Sequence, residues 1–276
     1  IILSVSVFAS GVLSDKTQAQ GLDKSQEMEG VTENQTNILL IGVDGSEQMC
    51  ADTLMLLSLN RTDNSLAVLS IPRDTLITTD KQDNKIAHLM TGGDDQKIID
   101  AVTNNLEIPV NYYARINLEG FRNIIDILGG VEFNVPFDML YDDPAQNLHI
   151  SLEKGLQILD GVKAEQLVRY RSGYPEGDIA RVQMQQNFIM ELIKQKIDTK
   201  YLAEISGLYN ELSKNVVTNY PSAKISEDIK VLNKINIKEI ETFILPGTTE
   251  FRQGTSYFVV NDTELKSLTE QKFVLK

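Results

Sequence analysis

The chain has 276 residues, enough to bury one substantial hydrophobic core. Acidic residues outnumber basic ones by 39 to 26, and the formal net charge is −13. No nucleic-acid partner is expected, because the neutralisation of phosphates requires a basic face. The single cysteine, Cys50, excludes an intrachain disulfide.

The first residues form a short apolar segment followed by a polar one. Residues 1–13 are mostly apolar, and residues 14–36 are mostly polar without a period. A bilayer requires about 20 apolar residues, so the first segment fits an anchor remnant, a signal-peptide remnant or a soluble apolar tail. We favour the remnant of an N-terminal transmembrane anchor, because no clear small-x-small cleavage site follows it. The polar segment is then a juxtamembrane linker.

The globular part, residues 37–276, opens with strand-like patterns. Residues 37–44 form a continuous apolar run, which is typical of a strand covered on both faces. Two further apolar runs, 53–59 and 66–71, are separated by polar residues and predict a β-hairpin.

Helical periodicity and strand-like runs alternate along the rest of the chain. The patterns predict helices over 96–106, 118–128, 161–166 and 179–197, and strands over 112–116, 131–135, 167–171, 242–247 and 257–260. Because the two types of element intermix, we predict an α/β protein, a sandwich around a central mixed β-sheet.

The hairpin brings two acidic residues together. If its turn centres near Asp63, Asp52 lies opposite Asp74. Opposed residues have Cβ atoms about 4.5–5.5 Å apart, so two like charges there need a cation, a shared proton or an arginine. Two carboxylates with phosphate oxygens are a usual Mg²⁺ site. The alternative is that both aspartates are ordinary polar strand ends that point to water.

Arginines follow later in the chain in an arrangement that suits an anion. Arg169 and Arg171 are two apart in a strand-like run and should project from one face, toward an anion or as a solvated edge. Asp178 is a good N-cap for the next helix. Arg181 opposes the helix dipole in the first turn unless an anion binds there, and Gln185 shares its face.

Together these residues favour phosphate chemistry. Arginine side chains recognise phosphate with planar, bidentate donors, and Arg73 adds a cation beside the acidic pair. A metal ion neutralises the charge that develops during phosphoryl transfer. The histidines are only His88 and His149, and Cys50 has no evident partner, so no nucleophile triad is visible. The pattern favours direct transfer to an acceptor hydroxyl.

An ordered set of motifs in residues 37–188 resembles the LytR-CpsA-Psr family of cell-wall glycopolymer ligases. The matching segments are 37–44, 51–53, 70–75, 129–131, 154–155, 159–161, 169–171, 177–178 with Arg181, 185–186 and, more loosely, 245–247. Each segment is weak evidence alone, whereas the ordered set is highly specific.

The resemblance implies an αβα fold with a hydrophobic pocket for a polyprenyl tail, in a catalytic domain whose motif core spans residues 37–200. It implies a single-pass type II membrane protein with an extracytoplasmic catalytic domain. The implied activity is a phosphotransferase that moves a glycan from a polyprenyl-pyrophosphate carrier onto a peptidoglycan acceptor.

The resemblance also implies roles for individual residues. Asp52 and Asp74 are the metal positions, for Mg²⁺ with Mn²⁺ as an alternative. The pyrophosphate-binding residues are Arg73, Arg169, Arg171, Arg181 and Gln185, and the catalytic ones are Asp74, Arg73, Arg169 and Arg171.

Two departures from the family pattern keep other functions open. The family usually has arginine where this chain has Met184, and often where it has Cys50. Each lost charge-assisted contact weakens phosphate binding by about 1.5–3 kcal/mol. A pyrophosphatase with water as acceptor and a non-catalytic lipid- or glycan-binding regulator are the alternatives.

Overall fold

In a computed structural model of the chain, the structure describes residues 34–44, 49–79, 82–144, 148–174, 178–196, 214–221 and 224–274. The predicted anchor remnant and nearly all of the predicted linker lie outside these residues. Within the described ranges, no helix is long and apolar enough to span a bilayer.

Strands and helices intermix along the chain, as predicted. The strands are β1 (Gln35–Val43), β2 (Ala51–Asn60), β3 (Ser65–Ile71), β4 (Leu76–Thr79), β5 (Gln82–Lys85), β6 (Tyr112–Asn117), β7 (Val131–Val135), β8 (Met139–Asp143), β9 (Leu148–Leu152), β10 (Gly155–Leu159), β11 (Val216–Thr218), β12 (Glu241–Ile244), β13 (Gly247–Arg252) and β14 (Thr255–Val260). The α-helices are α1 (Asp95–Asp100), α2 (Leu118–Ile127), α3 (Gly161–Arg169), α4 (Asp178–Lys196), α5 (Ile225–Leu232) and α6 (Asp262–Lys272), with a wider π turn at Ala101–Asn105 and 3₁₀ turns at Ile86–Met90 and Ile237–Glu239.

A six-stranded mixed sheet with the order β11-β6-β1-β2-β3-β12 forms the centre of the fold. The pairs β1–β2, β2–β3 and β6–β11 are antiparallel, whereas β1–β6 and β3–β12 are parallel. Two-stranded sheets β4–β5, β7–β10, β8–β9 and β13–β14 lie outside it. The prediction of an α/β fold around a mixed sheet is confirmed.

Both faces of the central sheet are covered. Along β1, Ile38 and Leu40 belong to a core that includes residues of α2, α3 and α4. Leu39 and Ile41 belong to a second core with residues of α1 and α6. A strand buried on both faces needs apolar side chains at successive positions, which explains the uninterrupted run. The strand begins at Gln35, two residues earlier than predicted.

The register of the β2–β3 hairpin differs from the prediction by one residue. Asn60 pairs with Ser65 and Leu54 with Ile71, so the same register, continued, places Asp52 opposite position 73 rather than 74. The turn is tighter than predicted because Asn64 adopts a left-handed conformation with φ 54°, which asparagine tolerates better than most residues.

The predicted strand over residues 167–171 is wrong, because α3 continues through Arg169. Asp160 caps this helix by accepting a hydrogen bond from the Lys163 backbone N–H, and the helix buries Ala164 and Leu167 on one face. The next long helix, α4, is described from Asp178 onward, and this residue lies in its first turn rather than at the predicted N-cap.

Candidate active site

A cavity of about 420 Å³ is lined by residues of the central sheet, α2 and α4. Most of its wall is apolar, with contributions from Leu40 and Met55 of the sheet, Phe121 of α2 and Ile189 of α4. Tyr141 of the β8–β9 hairpin also lines it. An apolar wall with a few convergent polar groups is the usual character of a ligand site.

One part of the cavity wall is polar, and it gathers residues from several element ends. The polar lining residues include Asp44, Asp52, Arg73, Arg169, Arg171, Arg181 and Gln185. Asp44 directly follows β1, Arg73 closely follows β3, and Asp52 lies at the start of β2. The other four lie at or just beyond the end of α3 and in the first half of α4. The fold thus brings the predicted site residues together at one place, although Asp74 itself does not line the cavity.

Arg73 lies between the two predicted metal-binding acids. Its Nη1 donates a hydrogen bond to Asp52 Oδ1, and its Nε lies 3.7 Å from Asp74 Oδ1. The Lys85 ammonium is a second cation, with Nζ 2.9 Å from Asp74 Oδ1. Lys85 is missing from the predicted site. Only the β4–β5 pairing, which places it opposite Leu76, would have identified it.

The backbone beside Asp74 is held from two sides. Ile86 N–H donates to the carbonyl of Thr75 at 2.8 Å, and Phe258 N–H donates to the carbonyl of Asp74 at 2.8 Å. The second contact comes from β14, near the end of the chain. The position of this carboxylate therefore depends on the C-terminal hairpin.

Carboxylates are the ligands that a hard divalent cation prefers, and in this structure both predicted metal ligands pair with cationic side chains. Asp52 and Asp74 contact different nitrogens of the Arg73 guanidinium, which lies between them. Asp74 Oδ1 is buried and, despite the nearby Lys85, accepts no well-aligned hydrogen bond. No group of three or more His, Cys, Asp or Glu side chains suited to a metal occurs in the described part of the chain. Further ligands would be phosphate oxygens and water, which Mg²⁺ commonly takes.

Arg181 is a deeply buried cation, with 2% of the residue exposed. Its Nη2 lies 2.8 Å from Asp178 Oδ1, yet Nε and Nη2 make no well-aligned hydrogen bond. Burial lowers the pKa of the guanidinium, Asp178 opposes that change, and Arg171 and Arg73 add to it. A buried guanidinium with unsatisfied donors in a cavity wall is well suited to bind an anion.

Aromatic contacts support the segment that carries Arg171. The rings of Phe137, Tyr170 and Tyr174 pack against one another with centroids 5.6–6.0 Å apart. Burial raises the pKa of Tyr174 to about 12. Arg171, between these tyrosines in the chain, is half exposed and lies 3.6 Å from Asp52.

Gln185 makes a contact that the sequence did not predict. Its Nε2 donates to the backbone carbonyl of Val168 at 3.0 Å, and the residue is 5% exposed. This bond joins α4 to the end of α3 and so helps to position the arginines of both helices. The predicted contact of Gln185 with pyrophosphate stays a prediction.

The two departures from the family pattern occupy different environments. Cys50 lines the cavity, whereas Met184 packs against the hydrophobic core and does not line it. Burial raises the pKa of the Cys50 thiol, and the negative charges of Asp52 and Asp44 raise it further. Of these two positions, only Cys50 therefore contributes to the cavity wall.

Sequence comparison identifies the relatives of this chain. The profile of the LytR_cpsA_psr family matches residues 2–273. The polyisoprenyl-teichoic acid–peptidoglycan teichoic acid transferase TagU of Bacillus anthracis is 30% identical over 280 residues, covering 98% of this chain and 90% of TagU. TagU of Bacillus subtilis is 30% identical over 240 residues, covering 85% of this chain and 76% of TagU.

Solved structures share the fold. The crystal structure of Bacillus subtilis TagV has a TM-score of 0.76 at 25% identity, covering 87% of this chain and 96% of TagV. Bacillus subtilis TagU has a TM-score of 0.62 at 28% identity, covering 87% and 95%. TagT bound to LIIa-WTA has a TM-score of 0.74 at 24% identity, covering 92% and 96%. The chain belongs to the LytR-CpsA-Psr family.

Proposed function

We propose that this protein is an extracytoplasmic phosphotransferase that moves a glycopolymer from a polyprenyl-pyrophosphate carrier onto peptidoglycan. The observation that carries the proposal is a single cavity with an apolar wall and an arginine-lined polar part, which suits the two ends of such a carrier. The names of the TagU relatives, as teichoic acid transferases, support the same reaction class.

The arginines would bind the pyrophosphate. Each of the four is already paired with a carboxylate: Arg73 and Arg171 with Asp52, Arg169 with Glu165, and Arg181 with Asp178. A paired guanidinium is held near its binding orientation, so less side-chain freedom is lost when an anion arrives. The apolar wall would take the first part of the polyprenyl chain.

The proposed reaction is a direct transfer. The oxygen of a peptidoglycan sugar hydroxyl attacks the phosphorus atom that is joined to the glycan. The bond from this phosphorus to the bridging oxygen breaks, and polyprenyl phosphate leaves with that oxygen. A phosphodiester then joins glycan and peptidoglycan, and the hydroxyl proton is released to water. The arginines neutralise charge on the transferred group and on the leaving phosphate.

Asp52 and Asp74 would hold Mg²⁺, with Mn²⁺ as the alternative. The ion, when bound, would neutralise negative charge on the phosphate oxygens. Arg73 contacts both carboxylates and would orient them.

The carrier is a membrane lipid, which motivates a location at the cell membrane. We propose that the protein is a single-pass type II membrane protein and that its catalytic domain faces the outside. Protease added to intact cells should then degrade the domain. A domain that stays intact until the cells are lysed would contradict this topology.

Incubation of the protein with a polyprenyl-pyrophosphate oligosaccharide, Mg²⁺ and peptidoglycan fragments tests the activity. We expect a phosphodiester-linked conjugate by mass spectrometry, its loss with EDTA, and its return with excess Mg²⁺ or Mn²⁺. Release of polyprenyl phosphate and glycan phosphate, equal with and without acceptor, would instead indicate a pyrophosphatase. Bound but unreacted lipid would indicate a regulator.

The thiol of Cys50 offers a direct measure of cavity occupancy, because the chain has one cysteine. Its raised pKa makes the reactive thiolate a minor form at pH 7, so iodoacetamide should label it more slowly than a free cysteine. The rate should rise about tenfold per pH unit below the pKa of the folded protein. Geranylgeranyl pyrophosphate should slow the labelling, as followed by intact mass. Equal rates with and without this lipid would argue against the proposed binding site.

A further inference from the structure

Glu165 is a buried acid that pairs with Arg169 of the proposed clamp and also contacts an arginine outside the cavity wall. It lies on α3 one turn before Arg169, and its side chain is 10% exposed. Burial of a carboxylate is unfavourable unless the charge is paired and hydrogen-bonded. Its partners therefore indicate what it does.

Each oxygen of Glu165 accepts a hydrogen bond from a different arginine. Oε1 accepts from Arg169 Nη1 at 2.9 Å, and Oε2 accepts from Arg122 Nη1 at 2.7 Å. Arg169 lines the cavity, whereas the Arg122 side chain, on α2, is 40% exposed. The carboxylate thus joins an arginine of the cavity wall to an arginine at the surface.

The close packing of α2 and α3 fixes this arrangement. A Cβ atom on Gly161, at the start of α3, would lie 2.4 Å from the carbonyl oxygen of Arg122, so only glycine allows this approach. The Gly161 N–H also donates to Asp126 Oδ1 of α2 at 2.7 Å. Arg122 is therefore held beside Glu165 by backbone contacts as well as by its charge.

We propose that Glu165 is a positioning residue that holds the Arg169 guanidinium in the cavity wall, and that Arg122 in turn anchors Glu165. The inference deepens the proposed function, on which it rests, by naming the residue that orients one arm of the pyrophosphate clamp. Arg169 has neighbouring cations in Arg73, Arg171 and Arg181, which also line the cavity. Without its carboxylate, the flexible Arg169 side chain would turn away from them toward solvent.

The substitution Glu165→Gln separates a positioning role from an effect of charge, because the two predict changes of opposite sign in the Kd of the lipid pyrophosphate. It keeps the shape of the side chain and removes one negative charge. If charge alone mattered, a more positive site would bind an anion more tightly. A positioning role predicts weaker binding, and we expect the Kd of geranylgeranyl pyrophosphate, measured by calorimetry, to rise about tenfold.

A double-mutant cycle shows whether Glu165 acts through Arg169. In an Arg169→Ala background, Glu165→Gln should leave the Kd unchanged. Arg122→Gln should weaken binding in the same direction but less, and it carries the test if Glu165→Gln does not fold. The matched control is Glu119→Gln, an exposed acid in the first turn of α2, which should bind like the unaltered protein.

The outcomes distinguish this inference from the proposed function. No binding by the unaltered protein would overturn both. Binding by the unaltered protein, with an equal or lower Kd for Glu165→Gln, would overturn the inference alone. A lower melting temperature for Glu165→Gln without a change in Kd would also overturn the inference. The contacts of Glu165 with Arg122 and Arg169 would then contribute to stability only.

Discussion

Asp74→Asn should lower the rate of conjugate formation by roughly 10²–10³-fold, a usual effect of removing one electrostatic group from a transfer site. The substitution removes one of the two carboxylates that contact Arg73, and it leaves Lys85 without its acidic partner. The site becomes more positive, so binding of the lipid pyrophosphate should not weaken. Initial rates and calorimetric binding of geranylgeranyl pyrophosphate would check both statements.

The control for this substitution lies at the other end of the same hairpin. Asp63 accepts hydrogen bonds from the backbone and hydroxyl of Ser65 in the exposed turn, and Asp63→Asn should keep full activity. Binding of Mn²⁺ without substrate, followed by electron paramagnetic resonance, should weaken in Asp74→Asn and not in the control. Retention of more than a tenth of the activity by Asp74→Asn would exclude an essential role.

Arg181→Met should raise the Kd of the lipid pyrophosphate by about 10- to 150-fold, since a charge-assisted hydrogen bond contributes about 1.5–3 kcal/mol. The methionine fills much of the same buried volume but brings no donors. Stability should fall little, because the guanidinium is buried with unsatisfied donors and its partner Asp178 remains partly exposed. Calorimetry would give the Kd, and thermal unfolding would give the stability.

An exposed arginine provides the comparison for Arg181. The Arg252 side chain is 40% exposed, does not line the cavity and pairs with the exposed acids Asp83 and Glu250, so Arg252→Ala should bind the lipid normally. Arg181→Lys should recover part of the affinity at most, because an ammonium lacks the planar fork. An unchanged Kd in Arg181→Met would remove this residue from the clamp.

The central sheet could be predicted because uninterrupted apolar runs of strand length are typical of strands that are buried on both faces. Residues 38–43 are apolar without alternation, and β1 is indeed buried on both faces. The run around Arg169 misled for the opposite reason. Its two arginines alternate as in a strand, but they lie at or just beyond the end of a helix that is capped by Asp160 and buries Ala164 and Leu167 on one face. The alternation of two arginines was a weaker signal than the helical spacing of the buried residues before them.

The site was predicted in composition more fully than in contacts. The arginines converge as the motifs suggested, but Asp52 binds Arg73, because a four-residue turn shifts the hairpin register by one. Lys85 and Glu165 were missed because their partners are set by pairing and packing that no local pattern records. A single sequence shows which charges exist and does not show which of them meet.

The hydrogen bond from Phe258 to Asp74 has a consequence for the limits of the folding unit. Beyond α4, the chain supplies both outer strands of the central sheet, β11 and β12, and the hairpin that carries Phe258. A truncated protein ending with the motifs near residue 200 would keep every predicted site residue. It would also expose the edges of β3 and β6 to aggregation and free the backbone at Asp74. The folding unit that supports the site is therefore longer than residues 37–188, which carry most of its sequence motifs.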